Sequence, residues 1–541
     1  MGMGVGRAEN GIPASAWREF IKPPGVGAHN SVMHEIELKF QVPADRRKAV
    51  DAAVAGRTPL RRTRLQAAYV DTPERLLAQA AMALRVRREG RQWVQTLKGA
   101  TEDGMTRLEH NVAIGTAGGS HEVPVPDPAR HAATPAGERL LGLLAGQPDA
   151  TLAVLYRTDI LRRTRVLRVA QGSVELAFDA GRIQAGDAHT PVCELEIELL
   201  DGSPLAVIDT ARRWVARHGL WLDTRSKNER GDMLARGEPM APARLAAAVV
   251  LDAKSSAHAA WLRVLRNCAE QITVNASQIA SGTHGDAHVH QLRIGLRRLR
   301  SALRLFEFVF EAAGSDAAVR ATSELGEAAA ALFRRLGGAR DQVVIEGEFA
   351  ADLAAALRSA GVPGDTPAAP PGADAEAAVG AVRDAASQAF LLDLLAAVHA
   401  EVPEAAHGPE PGLKQALAQR LNRWHRLAVR DAQAYATLDD EGRHRLRKHI
   451  KRLRYAVEFA GSLFGRGAVR RYLRPLRALQ ERLGAINDAV VAMQAFGHAV
   501  DTDPRAWFAV GWLAARREAL IAEAQADLRA FAKAQRFWKK D

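Results

Sequence analysis

The chain has 541 residues, 47% of them hydrophobic and 25% charged, which excludes wholesale disorder and leaves room for several folding units. Two cysteines exclude a disulfide framework and a four-thiolate zinc site, so a reducing compartment is expected. Lys and Arg number 74 against 62 Asp and Glu, and the resulting charge of +12 suits an anionic partner.

In chain order, residues 1–31 mix Gly, Pro and scattered charges without a continuous apolar run. They read as a disordered extension with no secretory signal. No apolar stretch approaches the ~20 residues of a membrane span, so a cytoplasmic protein is expected. From residue 32, short alternating stretches follow one another between Gly, Asp and Pro turns. Strands are predicted at Val32–Phe40, Ala83–Arg88, Gln92–Lys98, Thr106–Ile114, Leu161–Val169, Ser173–Phe178 and Val192–Leu200. Helices are predicted at Asp45–Ala55, Pro135–Leu144 and Pro204–His218. This is an α+β pattern over 32–236, dominated by antiparallel β structure. Residues 237–250, with Pro239 and Pro242, read as a linker. From 251 to 541 long Ala-, Leu- and Arg-rich helical patterns take over, in halves of about 251–360 and 376–541.

Alternate residues of a strand share a face. Glu35, Glu37 and Lys39 therefore project together, as do Arg85 with Arg87, Arg107 with Glu109, Arg163 with Arg165, and Glu194 with Glu196 and Glu198. An ordinary wet surface mixes signs, because like charges on neighbouring strand positions repel. Here cationic strands and acidic strands are segregated. Arginines and lysines can clamp an oligophosphate, and clustered carboxylates suit a hard divalent cation. A solvated sheet face accounts for the same spacing about as well.

The ordered set Glu35-x-Glu37-x-Lys39, Tyr69-Val-Asp-Thr72, Ala83-Leu-Arg-Val-Arg87, Leu97-Lys98-Gly99, Arg107-Leu-Glu109, Val174–Asp179 with Gly181, Cys193–Glu198 and Ser226-Lys227-Asn-Glu-Arg-Gly231 resembles the CYTH superfamily, or triphosphate tunnel metalloenzymes, over about 33–235. The resemblance implies an eight-stranded antiparallel tunnel that hydrolyses triphosphate with Mg²⁺ or Mn²⁺. It implies a catalytic group of Glu35, Glu37 and Lys39. Phosphate binding falls to Arg85, Arg87, Lys98, Lys227 and one of Arg163 and Arg165. Metal binding falls to Glu35, Glu37, Glu109, Asp179 and two of Glu194, Glu196 and Glu198. No Ser-His-Asp set or thiolate nucleophile is evident, which favours direct attack by water. Adenylate cyclases of class IV type and thiamine triphosphatases belong to the same superfamily, and a binding protein without efficient turnover is a further alternative.

On a helix, His290, Arg293, Arg297, Arg300 and Arg304 fall on one face beside an apolar face of Leu292, Leu296, Leu299 and Leu303. The pattern recurs with His444, Arg447, Lys451 and Arg454 against Leu446, Ile450 and Leu453. Downstream, Leu336-Gly-Gly-Ala-Arg-Asp341 matches Leu483-Gly-Ala-Ile-Asn-Asp488, so a duplicated helical unit is expected. A row of cations costs helix stability, which favours an anion groove over a plain solvated face. The duplicated pattern resembles the CHAD domain over about 251–535, often found behind CYTH. The resemblance implies two four-helix units binding inorganic polyphosphate through His290, Arg293, Arg297, Arg300, Arg304, His444, Arg447, Lys448, Lys451 and Arg454. It also implies association with polyphosphate granules. The stripes carry almost no aromatics for base stacking, so nucleic acid fits them less well.

Overall fold

The computed structural model describes residues 36–56, 62–100, 107–116, 123–147, 151–312, 316–337, 349–363, 366–367, 375–400 and 412–538. Glu35, Asp341 and the 1–31 extension lie outside them, as does the side chain of Arg107. The described residues form two compact units. One comprises 36–242 together with 383–399, the other 243–382 together with 400–538.

The first unit is built on one antiparallel sheet of nine strands: β1 (Glu37–Gln41), β2 (Thr63–Asp71), β3 (Met82–Glu89), β4 (Gln92–Ala100), β5 (Arg107–Thr116), β6 (Ala153–Val169), β7 (Gly172–Ala185), β8 (Ala188–Gly202) and β9 (Trp221–Leu222). The spatial order is β5-β4-β3-β2-β6-β7-β8-β1-β9. Nine strands stand where eight were expected, because the two residues of β9 add to the free edge of β1. Among the described residues no ladder joins β5 to β9. Alternation sets the two faces: in β1, Leu38 and Phe40 are buried on one side while Lys39 and Gln41 line the other.

The helices of this unit start where the local chemistry requires. α1 (Arg47–Ala55) buries Val50 and Val54. α2 (Leu76–Gln79) is held by Asp71, whose carboxylate accepts the Leu77 and Ala78 amides, both at 2.9 Å. α3 (Pro135–Ala145) and α4 (Pro204–His218) each place Pro at the first turn behind a capping Thr134 or Ser203. α5 (Lys227–Arg236) begins with a capping box: Ser226 Oγ accepts the Glu229 amide at 3.1 Å, and Glu229 accepts the Ser226 amide at 2.6 Å. α5 packs tightly against β6, since a Cβ on Gly231 would lie 2.3 Å from the Tyr156 ring. Gly231→Ala is therefore expected to cost roughly 1–3 kcal/mol by overpacking, read as a lower urea midpoint at unchanged m-value. A wild-type midpoint would show that the Tyr156 ring moves aside freely.

Among its described residues the second unit has helices and no strand. It holds α6 (Ala257–Ala280), α7 (Asp286–Leu305), α8 (Glu307–Ala312), α9 (Asp316–Arg335), α10 (Ala350–Ser359) and α11 (Ala375–Arg383, which reaches the boundary with the first unit), then α13 (Leu413–Gln433), α14 (Asp440–Ala460), α15 (Arg466–Ala499) and α16 (Ala506–Ala532). The sequence repeat falls on α7 and α14, and its second match falls just after α9 and within α15. The two striped helices, α7 and α14, pack on each other. α10 lays Leu353 and Leu357 on Ala489, Ala492, Phe496 and Leu513 of α15 and α16, so the first half's last helix is buried on the second half.

One helix departs from the expected division. α12 (Ala385–Val398) lies by sequence in the second helical half but packs with the first unit. Its sequence, AASQAFLLDLLAAV, is apolar on all sides, so it is buried all round rather than along one stripe.

Candidate functional site

One face of the nine-stranded sheet gathers ionic groups from nearly every strand. The register places Lys39 opposite Glu196 and Gln41 opposite Glu194 on β1 and β8, with Asp179 of β7 beside Glu194. From the other side, β3 brings Arg85 and Arg87, β4 brings Lys98, and β5 brings Glu109 opposite Lys98. Glu109 pairs with Lys98 and lies 3.5 Å from Arg85. Burial would raise the Glu109 carboxyl, but Lys98 and Arg85 overrule it and bring it down to about 2.

At the centre lies a carboxylate trio. Asp179, Glu194 and Glu196 each offer an oxygen within 4.8 Å of the others, and the first two are fully buried. The Lys227 ammonium, carried at the first position of α5, meets all three, at 2.7 Å from Asp179 and 2.8 Å from Glu196. Arg230, one turn later on the same helix face, lies 2.8 Å from Glu194. Arg162 bridges strands, donating to Asp179 at 2.6–2.7 Å and to Glu196 at 2.5 Å. Burial disfavours the charges of Glu196 and Lys227, yet both are held. Lys227, Arg162 and Lys39 keep Glu196 well below the usual carboxylate range, and the three carboxylates keep Lys227 well above its own.

Aromatic groups lie on the same face. Tyr69 of β2 stacks on Tyr156 of β6 at 4.8 Å, and Tyr156 hydrogen-bonds Asn228 of α5. Burial pushes the Tyr69 phenol up, but Arg85, with Lys98 and Lys227, leaves it below its ordinary value. Cations from β3, β4 and α5 thus bear on one ring. Arg87 pairs with Glu89, yet burial first and then Arg85 leave it below its ordinary value.

The structure therefore brings together Lys39, Arg85, Arg87, Lys98, Glu109, Asp179, Glu194, Glu196 and Lys227. Glu37 and Glu198 stand opposite each other two residues along the same ladder, with Glu37 exposed. Arg163 and Arg165 are on the opposite face. Arg163 pairs with Asp51 of α1 at 3.0 Å, and the Arg165 guanidinium rests against Gly56. The side chain that does reach the trio from β6 is Arg162, in phase with Ile160 and Thr158. The sequence alone does not mark it, because the phase of this long strand is set by its pairing with β2. Arg230, Gln41 and Asp223 were missed too; only the helical spacing of Lys227 and Arg230 signalled any of them.

In the second unit the cationic stripes divide. Arg293 is buried, donating to the Leu336 carbonyl at 2.5 Å with its guanidinium 4.4 Å from the Phe333 ring centre. Arg298 ties α7 to α6 through Gln271 and Asn267 at 2.9 and 2.7 Å. Arg447 lies 3.9 Å from Asp488, His444 meets Asn487, and Arg454 bonds Gln480 and Glu458. Arg297 shares the Phe333 ring with Arg293, Lys451 is half-buried, and His290 and Lys448 are exposed. Around α7 and α14 a further group forms. Burial, then Arg304 and Arg300, push the Arg452 guanidinium down to about 10. Burial, then Arg304 and Arg334, lower Arg300. Arg452 and Arg334 were outside the expected binding set; α9 carries Arg334 in, and no repeat marked it.

Residues 33–231 match the CYTH domain family and residues 263–497 the CHAD domain family. The chain is thus a CYTH domain followed by a CHAD domain. A Haemophilus influenzae inorganic triphosphatase is 29% identical over 212 residues, 38% of this chain. The chain spans 56% of that relative's length. A CHAD domain from the plant Ricinus communis is 29% identical, with a TM-score of 0.41 over 55% of this chain and 98% of its own. A Hippeastrum protein described as having dominant triphosphatase activity is 16% identical, with a TM-score of 0.26 over 38% of this chain and 97% of its own. No helix among the described residues is long and apolar enough to cross a membrane.

Proposed function

We propose that the first unit hydrolyses inorganic triphosphate with Mg²⁺ or Mn²⁺, and that the second unit binds inorganic polyphosphate. The observation that carries the reading is the meeting, on one face of the sheet, of a largely buried carboxylate trio with Lys39, Arg85, Arg87, Lys98 and Arg162. Arg85, Arg87, Lys98 and Lys39 neutralise phosphoryl oxygens and hold the chain of phosphates in line. Asp179, Glu194 and Glu196 are an all-oxygen donor set of the kind that hard divalent cations prefer, and the pair Glu37 and Glu198 extends it. A cation bound there would supply charge neutralisation at the phosphoryl group. Carboxylates held as low as Glu196 act as acceptors that orient an attacking water and do not store its proton. In the second unit, the crowd of Arg300, Arg304, Arg334 and Arg452 supports binding of a polyanion without bases. The same reading places the protein in the cytoplasm, at polyphosphate granules.

The test is phosphate release from tripolyphosphate, ATP and thiamine triphosphate, with Mg²⁺, with Mn²⁺ and with chelator. Metal-dependent release from tripolyphosphate above the other two is expected. Cyclic AMP from ATP, or no release from any substrate, would refute the reading.

A further inference from the structure

α12 buries three polar residues within its apolar run, Ser387, Gln388 at 1% and Asp393 at 3% exposure, and the last two bond other elements of the first unit. The Gln388 carbonyl Oε1 accepts the Leu222 amide at 2.8 Å. Asp393 receives Arg212 of α4 at 2.6 Å, and the Arg383 guanidinium lies 4.0 Å from the Trp221 ring centre. β9 is only Trp221 and Leu222, paired with β1 on one side. Its other side would present an open amide in a buried place, and Gln388 is what satisfies it.

The next residue connects this contact to the carboxylate trio. Asp223 donates its amide to the Lys39 carbonyl at 2.9 Å, and its carboxylate accepts Arg225 and the Gln41 amide nitrogen, both at 2.9 Å. The same Gln41 nitrogen donates to Glu194 at 3.3 Å. Burial opposes the Asp223 charge, but Arg225, Lys39 and Arg230 hold it far below its ordinary range, so the link is an ionised one.

We infer that α12 is a positioning element for the carboxylate trio, acting through Gln388 on β9 and from there through Asp223 and Gln41 on Glu194. The activity arm of the test rests on the proposed function; the exchange arm does not. In the full chain, Gln388→Met keeps side-chain bulk and removes the strong acceptor, while Gln388→Glu keeps an acceptor. Gln388→Met is expected to lose about tenfold in kcat on tripolyphosphate with KM within about twofold, and Gln388→Glu to recover most of it. Hydrogen exchange in Gln388→Met is expected to quicken at the Leu222 amide and also at Glu194 and Glu196. Unchanged kcat in an active protein, or exchange that quickens at Leu222 alone, overturns the proposal. If the unaltered chain releases no phosphate, the triphosphatase reading fails, and the two exchange sites still decide this one. Should Gln388→Met fail to fold, Gln388→Asn draws the acceptor back by one methylene; the same losses support the proposal and their absence overturns it.

Discussion

Glu196→Gln lowers triphosphate turnover by roughly 100-fold or more while leaving the fold intact. Glu196 is the member of the trio that is not sealed from solvent, and it stands opposite Lys39. It accepts from Lys227 at 2.8 Å and from Arg162 at 2.5 Å. A glutamine keeps the shape and one acceptor oxygen, so the strands still pair. It removes a formal charge from a set that has Lys227, Arg162 and Arg230 to balance, and leaves two carboxylates for a cation. The measurement is phosphate release under saturating Mg²⁺ and Mn²⁺, with circular dichroism to verify folding. Turnover within about threefold of wild type would remove the trio from the chemistry. Glu37→Gln, at the exposed end of the same ladder, is expected to fall in the same direction, and unchanged turnover there would confine the cation to the trio.

Arg300→Glu with Arg452→Glu weakens polyphosphate binding by roughly tenfold or more at 0.1 M salt, and the wild-type affinity itself falls steeply as salt rises. Arg452 has Arg300 and Arg304 as its strongest charged neighbours, and its guanidinium sits over the Trp424 ring at 5.6 Å. Like charges held together, with no acidic partner among the described residues, destabilise the unliganded fold. Arg452→Met should therefore stabilise the protein by roughly 0.5–1 kcal/mol while binding polyphosphate less well. Calorimetry with long-chain polyphosphate and thermal unfolding without it read the two effects separately. A variant that binds as wild type would take the ligand away from this cluster, and a variant that is less stable would show that Arg452 has a structural role.

The antiparallel domain and its polar face were legible because strand alternation prints directly into the sequence, as in Glu37-Leu-Lys-Phe-Gln41. The duplicated stripes were legible because a 3–4 spacing of cations has no other local cause. β2 escaped, since its Gln66-Ala-Ala-Tyr69 core lacks the branched residues that mark strands. The phase of β6 escaped because a shift at Tyr69/Val70 in its ladder with β2 is a property of two strands together. α5 escaped because its polar surface hides its purpose: Lys227 and Arg230 face inward onto acids, where a sequence shows only a short charged segment. The allegiance of α12 escaped because an apolar run states that it is buried and not what buries it.

That allegiance has a consequence for synthesis. A ribosome delivers the last strand of the first unit long before residue 399, so Leu222 and its neighbours wait uncovered while some 160 further residues are made. The amino-terminal half is born unfinished, and a gene cut at the apparent junction near residue 242 would encode a first unit missing its final wall.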